Sequence, residues 1–252
     1  MIRGPDVSAY QPNVLWKKVR DAGAEFSIIK VTDGNNYTNP LAKAQVLGAF
    51  AVGLLVMLYH FAQPNGKPGD LESWKADARA EAKRLDDLAD EFEGALGTYP
   101  VGHPRQGEAI KLFCFLDVER NTPLTAEERP YWRAWCNEFR RWCREEGKRV
   151  IGFYSGKFFT MDLGFDSSWS QTILWVAQYP RPYREDANYG YWPKTIVPWW
   201  RGDIWQDGGG MSNAAGGNES KWPGVGDGST FSDVNVFAGS RSELEELLQA
   251  AA

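Results

Sequence analysis

Eight short apolar runs recur along the whole chain, and helical patterns separate the early ones. Several runs are continuously apolar rather than alternating, which is typical of strands buried on both faces of a sheet. We predict strands over Ile2–Val7, Phe26–Thr32, Leu54–Phe61, Lys111–Glu119, Arg149–Ser155, Ile173–Tyr179, Asp203–Gln206 and Asp233–Phe237. Eight such strands alternating with helices predict an α/β protein of the (β/α)8-barrel type.

The second half of the chain departs from that ideal. Periodic apolar residues predict helices over Asn13–Ala22, Pro40–Val52, Asp70–Phe92, Thr125–Glu146 and Ser240–Ala251. In contrast, residues 180–202 and 207–232 are rich in Pro, Gly, Asn and aromatics and have no helical period. We therefore expect one irregular barrel domain, residues 1–252, in which helices are missing between the last strands. Residues 64–111 are predicted to form a helical insertion.

Composition excludes several classes of protein. The net charge of −5 argues against a general nucleic-acid or anionic-membrane surface, and the longest apolar stretch, residues 49–62, is too short to span a bilayer. With only two His residues far apart, we expect no metal site and no cofactor. Cys136 and Cys143 are seven residues apart in a helical pattern, about 10.5 Å of rise, too far for a disulfide. Together with Cys114 they are predicted to be buried free thiols.

Two carboxylates end the fourth predicted strand, where Asp117 and Glu119 follow a continuous apolar run. Alternate strand residues share a face, so both acids point the same way, with Cα atoms about 6.5–7 Å apart. Two carboxylates on one face are the minimum equipment for acid-catalysed cleavage of a glycosidic bond. The alternative is that these acids serve as turn formers or as the N-cap of the next helix.

Other polar and aromatic residues cluster at the strand ends, where barrel enzymes place their active sites. They are Asp6, Ser8, Tyr59, His60, Phe61, Tyr154, Trp175, Gln178, Tyr179, Trp205, Gln206, Asp233 and Asn235. Aromatic residues make up 14% of the chain, which suits either stacking on sugar rings or ordinary packing. The concentration of acids, amides and aromatics at one end of the predicted barrel favours a glycosidase.

The motifs at these strand ends resemble those of glycoside hydrolase family 25, the lysozymes (N-acetylmuramidases) of bacteria, fungi and phages. They are Asp6-Val-Ser-Ala-Tyr-Gln11, Tyr59-His-Phe61, Leu116-Asp-Val-Glu119, Trp175-Val-Ala-Gln-Tyr179, Trp205-Gln206 and Asp233-Val-Asn235. The resemblance implies an irregular barrel that cleaves the β-1,4 bond between N-acetylmuramic acid and N-acetylglucosamine in peptidoglycan glycan strands.

The resemblance also implies roles for individual residues. Glu119 matches the general acid/base, with a pKa raised by burial and by Asp117, which would stay ionised and assist, with participation of the substrate N-acetyl group. Asp6 and Asp233 match two further acids of the catalytic set. Substrate-binding positions are Tyr10, Tyr59, Phe61, Tyr154, Trp175, Gln178, Tyr179, Trp205 and Gln206.

Two other functions stay open at this point: a glycan-binding barrel without turnover, and a hydrolase of another amino-sugar polymer such as chitin. We expect a monomer without a separate cell-wall-binding module, and we expect residues 64–111 to rim or partly cover the groove. The chain opens without a signal-peptide pattern. This favours synthesis in the cytoplasm and, for a phage endolysin, release by a holin or by lysis.

Overall fold

The computed structural model describes residues 1–178, 194–196, 198–208, 222–225 and 233–250. Its strands are β1 Ile2–Val7, β2 Phe26–Asp33, β3 Tyr37–Thr38, β4 Leu55–Phe61, β5 Phe113–Asp117, β6 Ile151–Gly156, β7 Leu174–Ala177, β8 Lys194–Ile196, β9 Trp199–Arg201, β10 Ile204–Gly208 and β11 Asp233–Phe237. Its helices are α1 Trp16–Asp21, α2 Ala42–Ala51, α3 Leu71–Leu96, α4 Arg129–Glu145, α5 Lys157–Leu163 and α6 Arg241–Ala250, with a 3₁₀ turn at Ser167–Trp169.

Eight of these strands close into a barrel, which confirms the predicted fold class. Their order is β1, β2, β4, β5, β6, β7, β10 and β11, and the β1–β2 and β1–β11 pairs close the ring. All neighbours are parallel except β11, which runs antiparallel to both β10 and β1. Asp233 is the first residue of β11, so this reversal brings it to the end of the barrel where the other strands finish. Asp233 is there the register partner of Asp6.

Two apolar layers sandwich the strands, as the continuous apolar runs predict. The barrel interior is filled mainly by aromatic side chains, among them Phe26, Phe113, Phe115, Tyr154 and Trp175. The opposite faces of the same strands pack against the helices through a second layer that includes Val31, Leu58, Leu116, Phe153 and Trp135. Polar side chains therefore lie at the end of the barrel where the parallel strands finish, beyond the apolar interior layer.

The β4–β5 connection is dominated by α3, which packs along α4. The Trp135 indole N–H donates to Asp77 Oδ2 (2.8 Å), and Arg79 pairs with Glu138 (2.8 Å). After α3, residues 97–112 lie near the amino-terminal ends of the strands, where they help to enclose a cavity of about 720 Å³ together with Leu55 and the α6 region. This part of the connection therefore does not rim the end where the acids meet, contrary to the expectation for residues 64–111.

Of the smaller features, the state of the cysteines was predicted and helix α5 was not. The three cysteines are free and buried, as predicted. Helix α5, which follows β6 directly, was not predicted, because seven residues are too few to establish a helical period. Within the described part of the chain, no helix combines the length and apolar character needed to cross a membrane.

Candidate active site

Four acids meet at one end of the barrel, as predicted. Asp6 comes from β1, Asp117 from the last position of β5, Glu119 from the turn after it, and Asp233 from the start of β11. Their charges act on one another: Glu119 raises the pKa of Asp6, and both Glu119 and Asp6 raise that of Asp117. Mutual repulsion of this kind requires donors and cations nearby, or some of the acids must keep their protons.

Two neutral amides hold Asp6. Asn235 Nδ2 donates to Asp6 Oδ2 at 2.8 Å, and Gln206 Nε2 donates to the same oxygen and to Asp233 Oδ2, each at 3.1 Å. The Tyr154 hydroxyl donates to Gln206 Oε1 at 2.6 Å, which leaves the amide nitrogen facing the acids. Burial still dominates and raises the pKa of Asp6 to about 6. Asn235, unassigned in the sequence analysis beyond its motif, is thus the main support of Asp6.

Asp117 is the more deeply buried member of the central pair. Asp117 is only 3% exposed, and its Oδ1 has no hydrogen-bond partner within the described residues. Burial raises the pKa of Asp117 well above its ordinary value, and the charge of Glu119 raises it further. The backbone is firmly placed, because Ala62 N–H donates to the Asp117 carbonyl (2.8 Å) and Val118 N–H to that of Tyr154 (3.0 Å).

Glu119 reaches solvent but is largely surrounded by protein atoms. Desolvation raises its pKa, as predicted, while interaction with the Tyr154 hydroxyl and the charge of Lys30 lower it. Asp117 is buried and its Oδ1 has no hydrogen-bond partner among the described residues, so burial favours its protonated form in the free protein. The ionised state expected for Asp117 therefore stays a prediction for the complex with substrate.

Lys30 on β2 was missed in the sequence analysis. Its Nζ lies 2.7 Å from Asp33 Oδ2 and 4.4 Å from the centre of the Phe61 ring, and its charge lowers the pKa of both Asp117 and Glu119. The available signal was a lysine inside an otherwise apolar strand run, since a lysine is rarely buried without a partner.

The structure corrects part of the predicted sugar-stacking wall. Trp175 is 1% exposed and Trp205 2% exposed, so neither presents a ring face to a ligand. The Trp175 indole N–H donates to Asn235 Oδ1 (2.8 Å), and that of Trp205 to the Gln178 carbonyl (2.6 Å). Three further predicted contacts are also buried at this end: Tyr59, Tyr154 and Gln206. These buried residues pack in the barrel beneath its acid-bearing end rather than lining an open groove.

Three predicted substrate contacts do reach the surface. Tyr10 is 85% exposed, and Phe61 and Gln178 are partly exposed. The Tyr10 loop is held by Gln45 of α2, whose Nε2 donates to the carbonyls of Ser8 (2.8 Å) and Gln11 (3.1 Å). The predicted contact Tyr179 lies outside the described residues.

His60 faces away from the acids. Its Nδ1 lies 2.8 Å from Thr32 Oγ1 and its Nε2 lies 2.7 Å from Oε2 of Glu81, and both His60 and Glu81 are fully buried. The Phe139 ring packs on the imidazole. Glu81 lies on the highly charged helix α3, and its complete burial was not predicted from the sequence. The pair ties α3 to β4 behind the site.

Comparison with known families gives one extended match. The sequence model of Glycosyl hydrolases family 25 matches residues 5–83 and 102–206 and leaves 84–101, mostly the second half of α3, unmatched. Lysozyme M1 of Streptomyces globisporus is 36% identical over 72 residues, 29% of this chain and 24% of that protein. N,O-diacetylmuramidase of a Chalaropsis species is 44% identical over 71 residues, which are 27% of this chain and 34% of that protein. The chain thus aligns with only about a quarter to a third of these relatives.

Solved structures share the fold over the whole chain. The bacterial lysozyme from Streptomyces coelicolor superposes with a TM-score of 0.68 at 22% identity, covering 100% of this chain and 98% of that one. The muramidase from Trichobolus zukalii gives 0.66 at 23% identity, with coverage of 99% and 100%. At such low identities the structural similarity establishes the barrel fold alone, and evidence for the reaction comes from the residues of the site.

Proposed function

The chain belongs to Glycosyl hydrolases family 25, and from this premise we propose that it is a lysozyme that hydrolyses peptidoglycan. The bond cleaved is the β-1,4 linkage between N-acetylmuramic acid and N-acetylglucosamine. The observation that carries the proposal is the pair Asp117 and Glu119, two carboxyls on one face of the barrel end, both with raised pKa values. Paired carboxyls of unequal proton affinity are what acid-assisted glycoside cleavage needs.

Glu119 is the proposed general acid. It is the member of the pair that reaches solvent, and hence a glycan oxygen, and desolvation favours its protonated form. As the anomeric C–O bond breaks, Glu119 gives its proton to the leaving oxygen. The carbonyl oxygen of the substrate N-acetyl group forms the new bond to the anomeric carbon. Glu119 then removes a proton from the water that opens this intermediate, which predicts retention of configuration.

Asp117 is proposed to assist through its Oδ1, which has no hydrogen-bond partner among the residues that the structure describes. An acetamido N–H donating to this atom stabilises the ionised form of Asp117 and leaves the shared proton on Glu119. Substrate binding would thereby favour the ionised form of Asp117, whereas burial favours its protonated form in the free protein. The two residues are best treated as one titrating unit.

Asp6 and Asp233 are proposed to complete the acid set around the cleaved bond, and Tyr10, Phe61 and Gln178 to contact the glycan from the surface. A single chain supplies all four acids, which supports action as a monomer on the cell wall. The buried Gln206 and Asn235 are proposed to orient Asp6 without touching the glycan, since both are inaccessible.

The test is product analysis on purified peptidoglycan. Borohydride reduction of the new reducing ends, followed by mass spectrometry, separates the candidate functions. Reduced muramic acid supports the proposal, whereas reduced glucosamine shows a different bond specificity. No new ends with retained binding indicates a glycan-binding barrel, and parallel incubation with chitin oligosaccharides tests the other polymer. The Glu119→Gln variant serves as the matched control for contaminating hydrolases.

A further inference from the structure

Strand β2 contains a bulge at the active-site end of the barrel. The ladder pairs Lys30 with Tyr59 and Thr32 with His60, so two steps along β2 match one step along β4. The extra residue is Val31, which packs in the outer apolar layer. Bulges are frequent beside active sites, where they re-aim the side chains that follow.

The bulge changes which side chains share a face. In a regular strand, Lys30 and Asp33 would point to opposite faces, because their separation is odd. Here Val31 and Thr32 both face outward, the latter against His60, and Asp33 returns to the face of Lys30. The ammonium and carboxylate are then only 2.7 Å apart.

The pair is sheltered at the edge of the acid cluster. The Lys30 side chain is 14% exposed and that of Asp33 25% exposed, and the Phe61 ring packs against the ammonium. The positive charge of Lys30 lowers the pKa of both Asp117 and Glu119, and the negative charge of Asp33 raises the pKa of Asp117. A cation and an anion of opposite effect thus sit on one strand beside the reacting carboxyls.

We propose that Lys30 and Asp33 are positioning residues that set how Asp117 and Glu119 share their proton, with Lys30 favouring ionisation and Asp33 moderating it. This inference rests on the proposed glycosidase function. Neither residue needs to contact the glycan. The pair acts through the electrostatic potential at the two carboxyls, and the bulge at Val31 is what brings both charges to the same side.

Other titratable groups face the carboxyl pair from the surrounding strands. They are Asp6 on β1, Tyr59 on β4, Tyr154 on β6 and Asp233 on β11, while His60 and Glu81 lie behind β4 on its outer face. Substitutions on β2 leave these groups in place. A change in pH dependence that follows the charge at residues 30 and 33 is therefore attributable to those positions.

The two charges predict shifts of opposite sign. Removing the Lys30 ammonium raises the pKa values of both carboxyls, so both limbs of the pH profile of kcat/KM move upward. Removing the Asp33 carboxylate lowers the pKa of Asp117, so the limb that reports this group moves downward. An opposite charge a few ångströms away shifts a carboxyl by about one to three pKa units, and we expect about one pH unit here.

The experiment measures reducing-end release from soluble peptidoglycan fragments across pH. We expect an upward shift for Lys30→Gln, a downward shift for Asp33→Asn and a profile close to wild type for Lys30→Arg. Lys17→Gln is the control, because Lys17 forms an exposed ion pair of the same length with Asp21 (2.7 Å). Circular dichroism confirms that each variant is folded. If Lys30→Gln does not fold, Asp33→Asn and Lys30→Arg still test the sign.

Several outcomes would overturn the inference. A uniform loss of rate at every pH would indicate a structural role for Lys30, and a rise in KM without a shift in either limb would indicate a direct substrate contact. Shifts of the same sign for Lys30→Gln and Asp33→Asn would also contradict it. Failure of the proposed function itself would be recognised separately, because wild-type protein would then release no reducing ends at any pH.

Discussion

Asp6 and Asp233 face each other as register partners across the antiparallel pair β1–β11, and one amide nitrogen, Gln206 Nε2, donates to a carboxylate oxygen of each. This nitrogen lies 3.1 Å from both oxygens. The reversed direction of β11 makes the contact possible, because a parallel strand would carry Asp233 at the far end of the barrel. The acid set therefore depends on one antiparallel strand in an otherwise parallel barrel.

Gln206→Leu should destabilise the protein most strongly at neutral pH. The change removes a donor to both acids and an acceptor for Tyr154, and such losses in buried sites cost about 1–3 kcal/mol each. The pKa of Asp6, already about 6, should rise further, so stability is lost as pH increases through that region. Urea unfolding at pH 5 and pH 7.5 measures the difference. Equal losses at both pH values would contradict this account.

A matched control is Gln249→Leu on the exposed side of α6, which should leave stability at both pH values unchanged.

Glu119→Gln should abolish turnover while glycan binding persists. Glutamine keeps the shape of the side chain but has no proton to give to the leaving oxygen, and general acid catalysis contributes about 10²–10⁴-fold. Reducing-end assays measure the loss of rate, and co-sedimentation with insoluble peptidoglycan measures binding. Glu91→Gln, at an exposed glutamate that pairs with Lys43, is the control and should behave as wild type. Near-normal lysis by Glu119→Gln would refute the assignment.

Asp117→Asn should lose activity and gain stability near pH 7. The pKa of Asp117 is raised by burial and by the charge of Glu119, so its ionised form weakens the folded state. This destabilisation is absent below the unfolded-state pKa and grows as pH rises, and a neutral amide removes it. We expect a gain in the free energy of unfolding at pH 7 that shrinks toward pH 4. Thermal unfolding at both pH values checks this, and a lower Tm at pH 7 would count against it.

Local patterns were enough to predict the eight barrel strands and the place of the four acids at their ends. The bounds of β1 and β11 agree with the predicted runs. The fourth predicted strand is shorter than expected, since β5 ends at Asp117 and Glu119 follows in the turn. The short strands β3, β8 and β9 were not predicted. The direction of β11 was not predicted, although one signal was present. A parallel connection normally needs a crossover helix, and residues 207–232 have no helical period.

Other features depend on partners distant in sequence. The bulge at Val31 arises only when β2 is aligned with β4, so the pairing of Lys30 with Asp33 could not be anticipated. An aromatic residue at a strand end suits a sugar platform or a buried anchor equally well, and Trp175 proved to be the anchor. The burial of Asp117, which raises its pKa, depends on how deeply the strand end lies in the barrel, and strand spacing does not reveal that depth.

Tyr10→Ala should weaken glycan binding without affecting stability. The Tyr10 ring is 85% exposed. Stacking of an exposed aromatic ring on a ligand contributes on the order of 1 kcal/mol, so its loss should raise KM several-fold. Michaelis–Menten analysis and thermal unfolding distinguish the two effects. Trp175→Phe is the contrasting variant: loss of the bond to Asn235 should lower both Tm and kcat. An unchanged KM in Tyr10→Ala would remove this residue from the proposed substrate contacts.

Arg149→Met should destabilise the fold while leaving the chemistry of folded molecules intact. The buried guanidinium donates to Asp86 (3.0 Å), Asp90 (2.9 Å) and Glu93 (2.6 Å) at the end of the barrel away from the acid set. Removing one partner of a buried network costs about 3–5 kcal/mol. We expect the lower end of that range, because the carboxylates of Asp86 and Glu93 stay buried whereas that of Asp90 is mostly exposed. The pKa of Glu93 is held down by Arg149, so the variant's deficit should be largest at pH 7 and should narrow as acid protonates Glu93.

Arg144→Met is the matched control, since the contact of Arg144 with Glu145 (3.2 Å) is exposed and its loss should not measurably change stability. Urea unfolding at pH 7 and pH 4 measures both variants, and kcat is taken at a temperature where each is folded. A lowered kcat in folded Arg149→Met would show that the two ends of the barrel are coupled. Equal instability of Arg149→Met and Arg144→Met would show that burial of the network is not what stabilises this end.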